Sequence, residues 1–237
     1  QDSIITLLGY NYAARGFIYR EQMSCDIALN YFDKSIVQYK KGGNEKTRSG
    51  NLSTLYYNKG NCMLRLSKID SARANFEKSI HYAQTVDAKS LYAFAKKGLS
   101  EVYTAEGNYT EAITLLKEAE KASENVGDLI LNQGIYKNLS DNYLAVNNAE
   151  LYTVYFEKSN TVQNQINEKE QKTINNSISN LITENKTQTE SELSKLQNYR
   201  WILLALVVIL LFVWGNFILK NFKNYKKSKE KLEALKK

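Results

Sequence analysis

The stretch "EGNYTEAITLLKEAEKA", residues 106–122, decides the fold of this 237-residue chain. Gly107, Asn108 and Tyr109 lie where a turn between two helices is expected. Ala112 and Ala119 then place small side chains on the helix that follows, which allows a neighbouring helix to approach closely. The same arrangement recurs elsewhere in the chain, so the stretch belongs to an internal repeat.

The repeat has a spacing of 44 residues between the first and second copies and 40 between later copies. Five columns of similar residues match over four copies, with one serious exception, at Tyr152. The columns are Gly16, Gly60, Ser100 and Ser140; Tyr19, Met63, Tyr103 and Tyr143; Ala28, Ala72, Ala112 and Tyr152; Phe32, Phe76, Leu116 and Phe156; and Ser35, Ser79, Ala119 and Ser159.

These columns predict two antiparallel helices in each copy. Small residues let the two helices approach, and the aromatic columns fill the space between copies. One helix pair cannot bury its apolar face alone, so the copies are expected to stack into an all-α solenoid. The predicted packing residues are Gly16, Ala28, Phe32, Gly60, Ala72, Phe76, Ala112, Ala119 and Phe156.

The columns resemble the tetratricopeptide repeat (TPR) pattern over about residues 3–160. The usual period of about 34 residues is stretched here, and the family's usual proline is missing because the chain has none. Glycines in "KGGNE" (41–45) and "VGD" (126–128) are expected to end helices instead. The resemblance implies a right-handed superhelix of four repeats, at about 3–41, 47–86, 88–127 and 129–160.

The resemblance also implies a concave groove lined by the first helix of each repeat. The groove positions of the family fall on Phe17, Arg20, Tyr57, Asn61, Arg65, Lys97, Glu101, Lys137 and Asp141. This set is mixed in charge and lacks the Lys/Asn/Lys/Arg cluster with which some TPR domains bind a terminal carboxylate. Two interpretations stay open: a groove that binds a protein or peptide, and a solvated polar surface with no dedicated ligand.

The net charge of +7 is confined to one end of the chain. Residues 1–160 carry 19 Lys and Arg against 18 Asp and Glu, and residues 161–200 carry five of each. Residues 201–237 carry eight against two. This distribution argues against a basic face on the repeats, so we expect no direct nucleic-acid binding by this chain.

Catalytic and cofactor motifs are not found in the sequence, so we expect no enzyme activity, cofactor or metal site. There is no Gly-rich phosphate loop and no GxSxG motif. His81 is the only histidine, and it reads as an ordinary, partly exposed helix residue. Cys25 and Cys62 are isolated in sequence; two buried thiols and a disulfide between them are both open readings.

Residues 161–200 are polar, without the aromatic residues of the repeats until Tyr199. Apolar residues recur here at intervals of three and four, namely Ile174, Ile178, Leu181, Ile182, Leu193 and Leu196. Asn185 and Thr189 interrupt this stripe, so the pattern favours a weak coiled coil, with a flexible linker as the alternative. We expect a homodimer through this linker and the apolar segment that follows it.

Residues 201–219 are 19 residues without a charge. A helix of this length spans roughly 28 Å, which matches the hydrocarbon core of a bilayer. Tyr199 and Trp201 are predicted at one membrane interface, and Lys220 and Lys223 open the lysine-rich segment at the other. The positive-inside rule places the C-terminus in the cytoplasm and the repeats outside. The frequent use of Asn, Lys, Ile and Tyr is typical of a low-GC bacterium, and in the inner membrane of a Gram-negative cell the repeats would be periplasmic.

Residues 220–237 read as a basic helix leaving the membrane, with Tyr225, Leu232 and Leu235 at heptad-compatible spacing. The sequence predicts a helix that continues beyond Lys237, and an export signal that has been removed from the N-terminus or left out.

The order of exported TPR repeats, polar helix, single span and basic helix resembles the front half of Bacteroidetes membrane regulators. That resemblance implies a periplasmic sensor that binds a protein or peptide and relays to a cytoplasmic output domain. A helix-turn-helix transcriptional regulator is favoured for the output. A TPR histidine kinase and a membrane-tethered scaffold without output are the alternatives.

Overall fold

The computed structural model describes the backbone of residues 2–42 and 44–234, and the side chains of 4–42 and 44–229. All regular structure in these ranges is α-helical, which confirms the predicted all-α class. The helices are α1 (Asp2–Glu21), α2 (Cys25–Lys41), α3 (Glu45–Arg65), α4 (Ile69–Gln84), α5 (Lys89–Ala105), α6 (Tyr109–Ser123), α7 (Leu129–Ala145) and α8 (Ala149–Ala234). Gly43, Leu235 and the Leu232 side chain, which entered the predictions above, lie outside the described residues.

The helices form antiparallel pairs in one compact unit, Gln1–Glu170. Helix α1 pairs with α2, α3 with α4, α5 with α6, and α7 with the first turns of α8. Each pair packs on the next through α2 and α3, α4 and α5, and α6 and α7. Successive first helices also touch, α3 with α5 and α5 with α7. This is a TPR-type α-solenoid, and the surface made by α1, α3, α5 and α7 is called the first-helix face below.

Glycine makes room for the large aromatic rings inside the pairs. A Cβ on Gly16 would lie 2.5 Å from the Phe32 ring, and one on Gly60 would lie 2.6 Å from the Phe76 ring. Gly98, from the following pair, packs on the same Phe76 ring. The rings of Phe32 and Phe76 are fully buried, as are the predicted small residues Ala28, Ala72, Ala112 and Ala119.

Phe156 departs from its column and corrects the prediction that it packs inside the repeat. Its side chain remains 46% exposed, whereas Tyr155 beside it is buried and stacks on Tyr143. Two physical reasons account for this. The first helix of this pair has Ser140 where earlier pairs have Gly16 or Gly60, and its Cβ takes the space that a ring would need. No following pair covers Phe156 among the described residues.

The serine column joins the two helices of a pair through buried hydrogen bonds. Ser35 Oγ donates to the carbonyl oxygen of Gly9 at 2.7 Å. Ser79 Oγ donates to the carbonyl of Ser53 at 2.8 Å, and Ser53 Oγ donates back to the carbonyl of Ser79 at 2.9 Å. These bonds satisfy hydroxyls that are otherwise out of reach of water, and they fix the two helices at close range.

The turn inside each pair has the same backbone shape in all four copies. Met23, Ser67, Gly107 and Asn147 each have a positive φ, between 57° and 79°. Only one of the four is glycine, although L residues are strained in this region. The turn between the third and fourth pairs uses Gly127, with φ 72°, as its sequence predicts, whereas Gly42 is extended.

The second compact unit, Gln171–Lys237, contains the rest of α8. The apolar residues of the predicted linker stripe are between 50% and 64% exposed, from Ile174 to Leu196. The most apolar 18-residue window of α8 has none of its residues buried. By length and composition this helix is a candidate membrane span, and within the described residues it is the one helix that qualifies.

Candidate functional site

The first-helix face is held together by hydrogen bonds between helices of successive pairs. Thr104 Oγ1 on α5 donates to Asn142 Oδ1 on α7 at 2.9 Å, and Asn138 Nδ2 on α7 donates to Glu101 Oε1 at 3.0 Å. Arg20 on α1 donates in the same way to Asn58 Oδ1 on α3. Asn58 and Asn142 are almost fully buried. The face is therefore ordered by its own polar residues.

A cavity of about 180 Å³ opens on this face between the first three pairs. Its lining consists of Arg20, Ser53, Thr54, Tyr57, Asn58, Ser79, Leu91 and Phe94. The Tyr57 ring centroid lies 5.6 Å from that of Phe94 and 5.9 Å from that of Phe76, in tilted arrangements. An aromatic and aliphatic wall thus faces a few polar groups, the composition typical of a site for an apolar side chain.

Arg20 provides the charge at one edge of the cavity. Its guanidinium also pairs with Glu21 and lies 6.0 Å from the centroid of Phe17, while Phe17 itself packs on buried Phe32 at 5.5 Å. Arg65 extends this edge, donating to the carbonyl of Arg20 at 3.4 Å. Asn61 is half-buried on the same helix. Hydrogen bonding to Arg20 holds the pKa of the Glu21 carboxyl below its usual value.

Lys97 and Glu101 form the next part of the face. Lys97 Nζ lies 2.5 Å from Glu101 Oε1. Burial alone would lower the pKa of Lys97, but the charge and hydrogen bond of Glu101 outweigh it and the pKa is raised. Gly134 on α7 allows this arrangement, because a Cβ there would lie 2.5 Å from Lys97 Cε. The ammonium therefore stays charged and neutralised by its neighbour.

Lys137 and Asp141 are exposed members of the predicted set. They form an (i, i+4) pair at 2.6 Å on α7, with more than half of each side chain exposed. A pair so exposed contributes little to stability. Of the nine predicted groove residues, the structure brings Arg20 and Tyr57 to the cavity, places the others along the same face, and leaves their binding role a prediction.

Sequence reasoning missed five residues of the cavity lining, namely Ser53, Thr54, Asn58, Leu91 and Phe94. The repeat register contained a usable signal for three of them. Thr54 and Phe94 are 40 residues apart, so they occupy one column of successive first helices. Asn58, Gly98 and Asn138 are likewise spaced 40 residues apart and form another column. These columns were not among the five matched ones because their residue types differ between copies.

Histidine, cysteine and potential metal-ligating side chains do not form a site in the part of the chain that the structure describes. In residues 2–42 and 44–234 no three His, Cys, Asp or Glu side chains are grouped as metal ligands. His81 is exposed, and Cys25 and Cys62 are buried free thiols in one hydrophobic cluster. Burial and a hydrogen bond with Cys25 raise the pKa of the Cys62 thiol to about 12.

Comparison with known proteins supports the fold. Residues 51–125, which are the second and third copies, match the tetratricopeptide repeat family model. These residues carry the TPR signature. No curated protein sequence matches the chain significantly.

Three solved structures with similar architecture illustrate the likeness. BtubC (BKLC) from P. vanneervenii has a TM-score of 0.59 and 17% sequence identity, over 69% of this chain and 66% of BtubC. Aspartyl phosphate phosphatase F from Bacillus subtilis has a TM-score of 0.61 and 14% identity, over 67% of this chain and 41% of the phosphatase. The apo form of RapI has a TM-score of 0.62 and 14% identity, over 70% of this chain and 60% of RapI.

At 14–17% identity these likenesses show the fold alone. The matched part of the chain spans less than two thirds of each of the three structures. TPR-type repeats are protein-interaction modules, and this fold is typically a non-catalytic scaffold. The chemistry of this chain therefore has to be argued from its own first-helix face.

Proposed function

We propose that the first-helix face binds an extended segment of a partner protein. The observation that carries this proposal is the cavity between Tyr57, Leu91 and Phe94, which is too small for a folded surface and suits one side chain. An extended segment can place a side chain there while its backbone follows the face. Asn and Thr side chains along the rim supply hydrogen-bonding groups for such a backbone.

The preferred segment is close to neutral, with one apolar or aromatic side chain. Lys97 is neutralised by Glu101, Lys137 by Asp141 and Arg20 by Glu21, so the face has no strong net field. Affinity would then depend on the apolar side chain in the cavity, and only weakly on salt. These properties differ from those of a uniformly polar, solvated surface without a dedicated ligand.

The cavity can be tested with the full chain in lipid nanodiscs and an array of random dodecapeptides. We expect a subset of peptides with a shared aromatic or aliphatic position to bind, and Phe94→Ala to reduce their binding about tenfold or more. Phe156→Ala, which removes an exposed phenylalanine outside the cavity, is the matched control and should leave binding unchanged. Equal binding by both variants would reject the cavity as the site.

We further propose that the chain is the sensor part of a single-pass protein of a bacterial inner membrane, with residues 201–219 as the span. The exposed apolar window of α8 supports a lipid environment, since such a surface is unfavourable in water. The lysines from Lys220 onward support a cytoplasmic C-terminus, and Tyr199 and Trp201 then mark the periplasmic interface. The exposed stripe from Ile174 to Leu196 supports pairing of two copies through the linker.

Topology can be tested with a membrane-impermeant maleimide on cells whose outer membrane has been permeabilised. Ser177→Cys should be labelled in intact cells, whereas Ser228→Cys should be labelled only after the inner membrane is opened. The reverse pattern would place the repeats in the cytoplasm.

Relay across the span can be tested by fusing a dimerisation-dependent DNA-binding reporter to the C-terminus. Deletion of residues 1–160 should change the reporter output if the repeats control the helix, as expected for a sensor of a helix-turn-helix regulator or a kinase. Phe94→Ala should abolish the response to a peptide found on the array. Unchanged output in both variants would favour a membrane-tethered scaffold.

A further inference from the structure

A larger cavity, of about 470 Å³, lies where the end of α4, the start of α5 and the end of α6 meet. It shares no lining residue with the cavity of the first-helix face. Its volume is within the usual range for small-molecule sites. The lining consists of Ala83, Gln84, Asp87, Ala88, Lys89, Tyr92, Glu118, Lys121 and Ala122.

The repeat register explains why this space is open. In the second copy the Tyr82 ring stacks on the Tyr56 ring, with centroids 5.6 Å apart and planes 2° from parallel. The residues 40 positions later, in the third copy, are Ala122 and Lys96. An alanine methyl therefore stands where the second copy has a tyrosine ring, and this leaves room for a ring from elsewhere.

The residue opposite this position is a cation held in place by two lining residues. Lys96 Nζ lies 2.6 Å from Glu118 Oε2 and 5.4 Å from the centroid of the Tyr92 ring. The Tyr92 hydroxyl donates to the same Glu118 oxygen at 3.1 Å. An aromatic guest in the place of the missing ring would therefore lie beside an ammonium group, which attracts the face of a ring.

The neighbouring copies have the opposite arrangement at these positions. Lys78, on the second helix of its pair, lies 5.6 Å from the centroid of Tyr56 on the first helix. Lys158 lies 5.3 Å from the centroid of Tyr136 in the same way. The third copy has its cation on the first helix and an acid on the second. It thus departs from the repeat at the place where the cavity opens.

The rim of the cavity favours an anionic group. Lys89, Lys121 and Asp87 form no ion pair with any residue that the structure describes. Two free cations therefore stand against one free acid in the lining. The pair of Lys96 and Glu118 is neutral as a whole, so it does not change this balance.

The start of α5 adds hydrogen-bond donors to the same rim. Its N-cap residue, Ala88, has no side chain that can accept from the first backbone N–H groups. Asn44 and Asp128 accept such bonds at the starts of α3 and α7. The first turn of α5 also contains no acid. Uncapped N–H groups at a helix start interact favourably with a carboxylate.

We propose that this cavity binds a small aromatic acid. Its ring takes the place that Tyr82 has in the second copy, against Ala122 and Lys96, and its carboxylate lies at the rim near Lys89 and Lys121. The guest would contact both the second and the third pair, since α4 belongs to one and α5 and α6 to the other. The site goes beyond the proposed binding of a protein segment and would give the repeats a second ligand.

Fluorine NMR with 4-fluorophenylacetate as the probe and the full chain in lipid nanodiscs tests the proposal, with empty nanodiscs as background. We expect binding with a Kd of about 1 mM or below, which a ligand of this size can reach. Ala122→Tyr, which restores the ring of the second copy, should abolish binding. Ala74→Tyr, the same change at an exposed position of α4, is the matched control and should leave it unchanged.

A double variant, Lys89→Gln with Lys121→Gln, tests the rim through exposed side chains and does not depend on how well Ala122→Tyr folds. It should weaken the binding of 4-fluorophenylacetate severalfold and leave that of the neutral probe 4-fluorophenol unchanged. No binding by the wild-type chain, equal binding by Ala122→Tyr, or a double variant that weakens both probes alike would overturn the proposal.

The two cavities can be separated with the same variants. Phe94→Ala should leave the binding of 4-fluorophenylacetate unchanged, and Ala122→Tyr should leave the binding of the dodecapeptides unchanged. Loss of probe binding in Phe94→Ala would place the probe in the cavity of the first-helix face and overturn the second site.

Discussion

Phe76 and Gly98 belong to neighbouring helix pairs, and the ring of one occupies the space that a side chain on the other would need. A Cβ on Gly98 would lie 2.7 Å from Cδ1 of Phe76, and the ring is fully buried. We predict that Gly98→Ala destabilises the solenoid by about 1–3 kcal/mol, the usual cost of overpacking a tight core. Thermal unfolding of the full chain in detergent, followed by circular dichroism, measures this change.

Gly50→Ala is the matched control for that substitution. Gly50 also lies inside a helix, but its nearest neighbour for a Cβ would be Leu91 Cδ1 at 3.9 Å, an ordinary contact. Alanine should therefore stabilise the helix by about 0.5–1 kcal/mol through its higher propensity. If both variants were equally stable, close packing between helix pairs would not be the reason why position 98 requires glycine.

The lowered pKa of Glu120 predicts that the stability of the solenoid depends on pH. Burial alone would raise the pKa of its carboxyl, but the hydrogen bond from Lys117 and the charges of Lys117 and Lys158 outweigh it and the pKa is lowered. Because the pKa of Glu120 is lower in the folded state, its charged carboxyl stabilises the fold at pH values above the pKa of the unfolded state, which is near 4.3. This stabilisation is lost as the pH falls through the pKa of the folded state. We expect Glu120→Gln to cost about 1–2 kcal/mol at pH 7.

The difference between the wild-type chain and Glu120→Gln should narrow as the pH falls below about 4. Melting curves at several pH values between 3 and 7 test this. Glu124→Gln, at an exposed position on the same segment, should show no such narrowing. If the difference in stability between wild type and Glu120→Gln stayed constant with pH, the variant would have lost packing and not a charge interaction.

Cys25 and Cys62 are expected to be free thiols that are inaccessible to reagents in the folded chain and accessible after denaturation. Cys62 is fully buried and its pKa is raised to about 12, so little thiolate is present at neutral pH. We expect negligible maleimide labelling of the folded chain at pH 7 and two thiols per chain after denaturation without reductant. Ser177→Cys should add one rapidly labelled thiol in the folded state. No free thiol after denaturation would reveal a disulfide.

Trp201 and Trp214 are the only tryptophans, and both lie in the proposed span. Their fluorescence therefore reports on this segment alone. In nanodiscs, Trp201→Phe should leave an emission from Trp214 that lipids brominated on the acyl chain quench strongly. Trp214→Phe should leave an emission from Trp201 that such lipids quench less, since Trp201 is predicted at the interface. Emission typical of water from both variants would contradict a membrane span.

The period of the sequence accounts for most of the fold. Ala28, Phe32, Ala72 and Phe76 are predicted by column alone, because every inner copy has the same neighbours. The column fails at Phe156, where Ser140 replaces a glycine and no following helix covers the ring within the described residues. A repeat pattern describes the inner copies well because it assumes identical surroundings, and the last copy lacks them.

The candidate site was less predictable than the fold. Arg20 and Tyr57 follow from the register of the first helices, and both line the cavity. Asn58 and Phe94 also occupy register columns, but the residue types in those columns differ between copies, and the cavity forms where unlike side chains from four helices meet. Its shape depends on the tilt between Tyr57 and Phe94 and on the hydrogen bond from Arg20 to Asn58, which no periodicity encodes.

The four left-handed turns at Met23, Ser67, Gly107 and Asn147 bear on how such a protein changes over generations. Each pair ends its first helix in the same way and touches only adjacent pairs. A gene duplication that adds one pair, or a deletion that removes one, would therefore need no new kind of junction. Evolution could therefore lengthen or shorten the first-helix face by whole helix pairs without changing the proposed membrane span or the lysines that follow it.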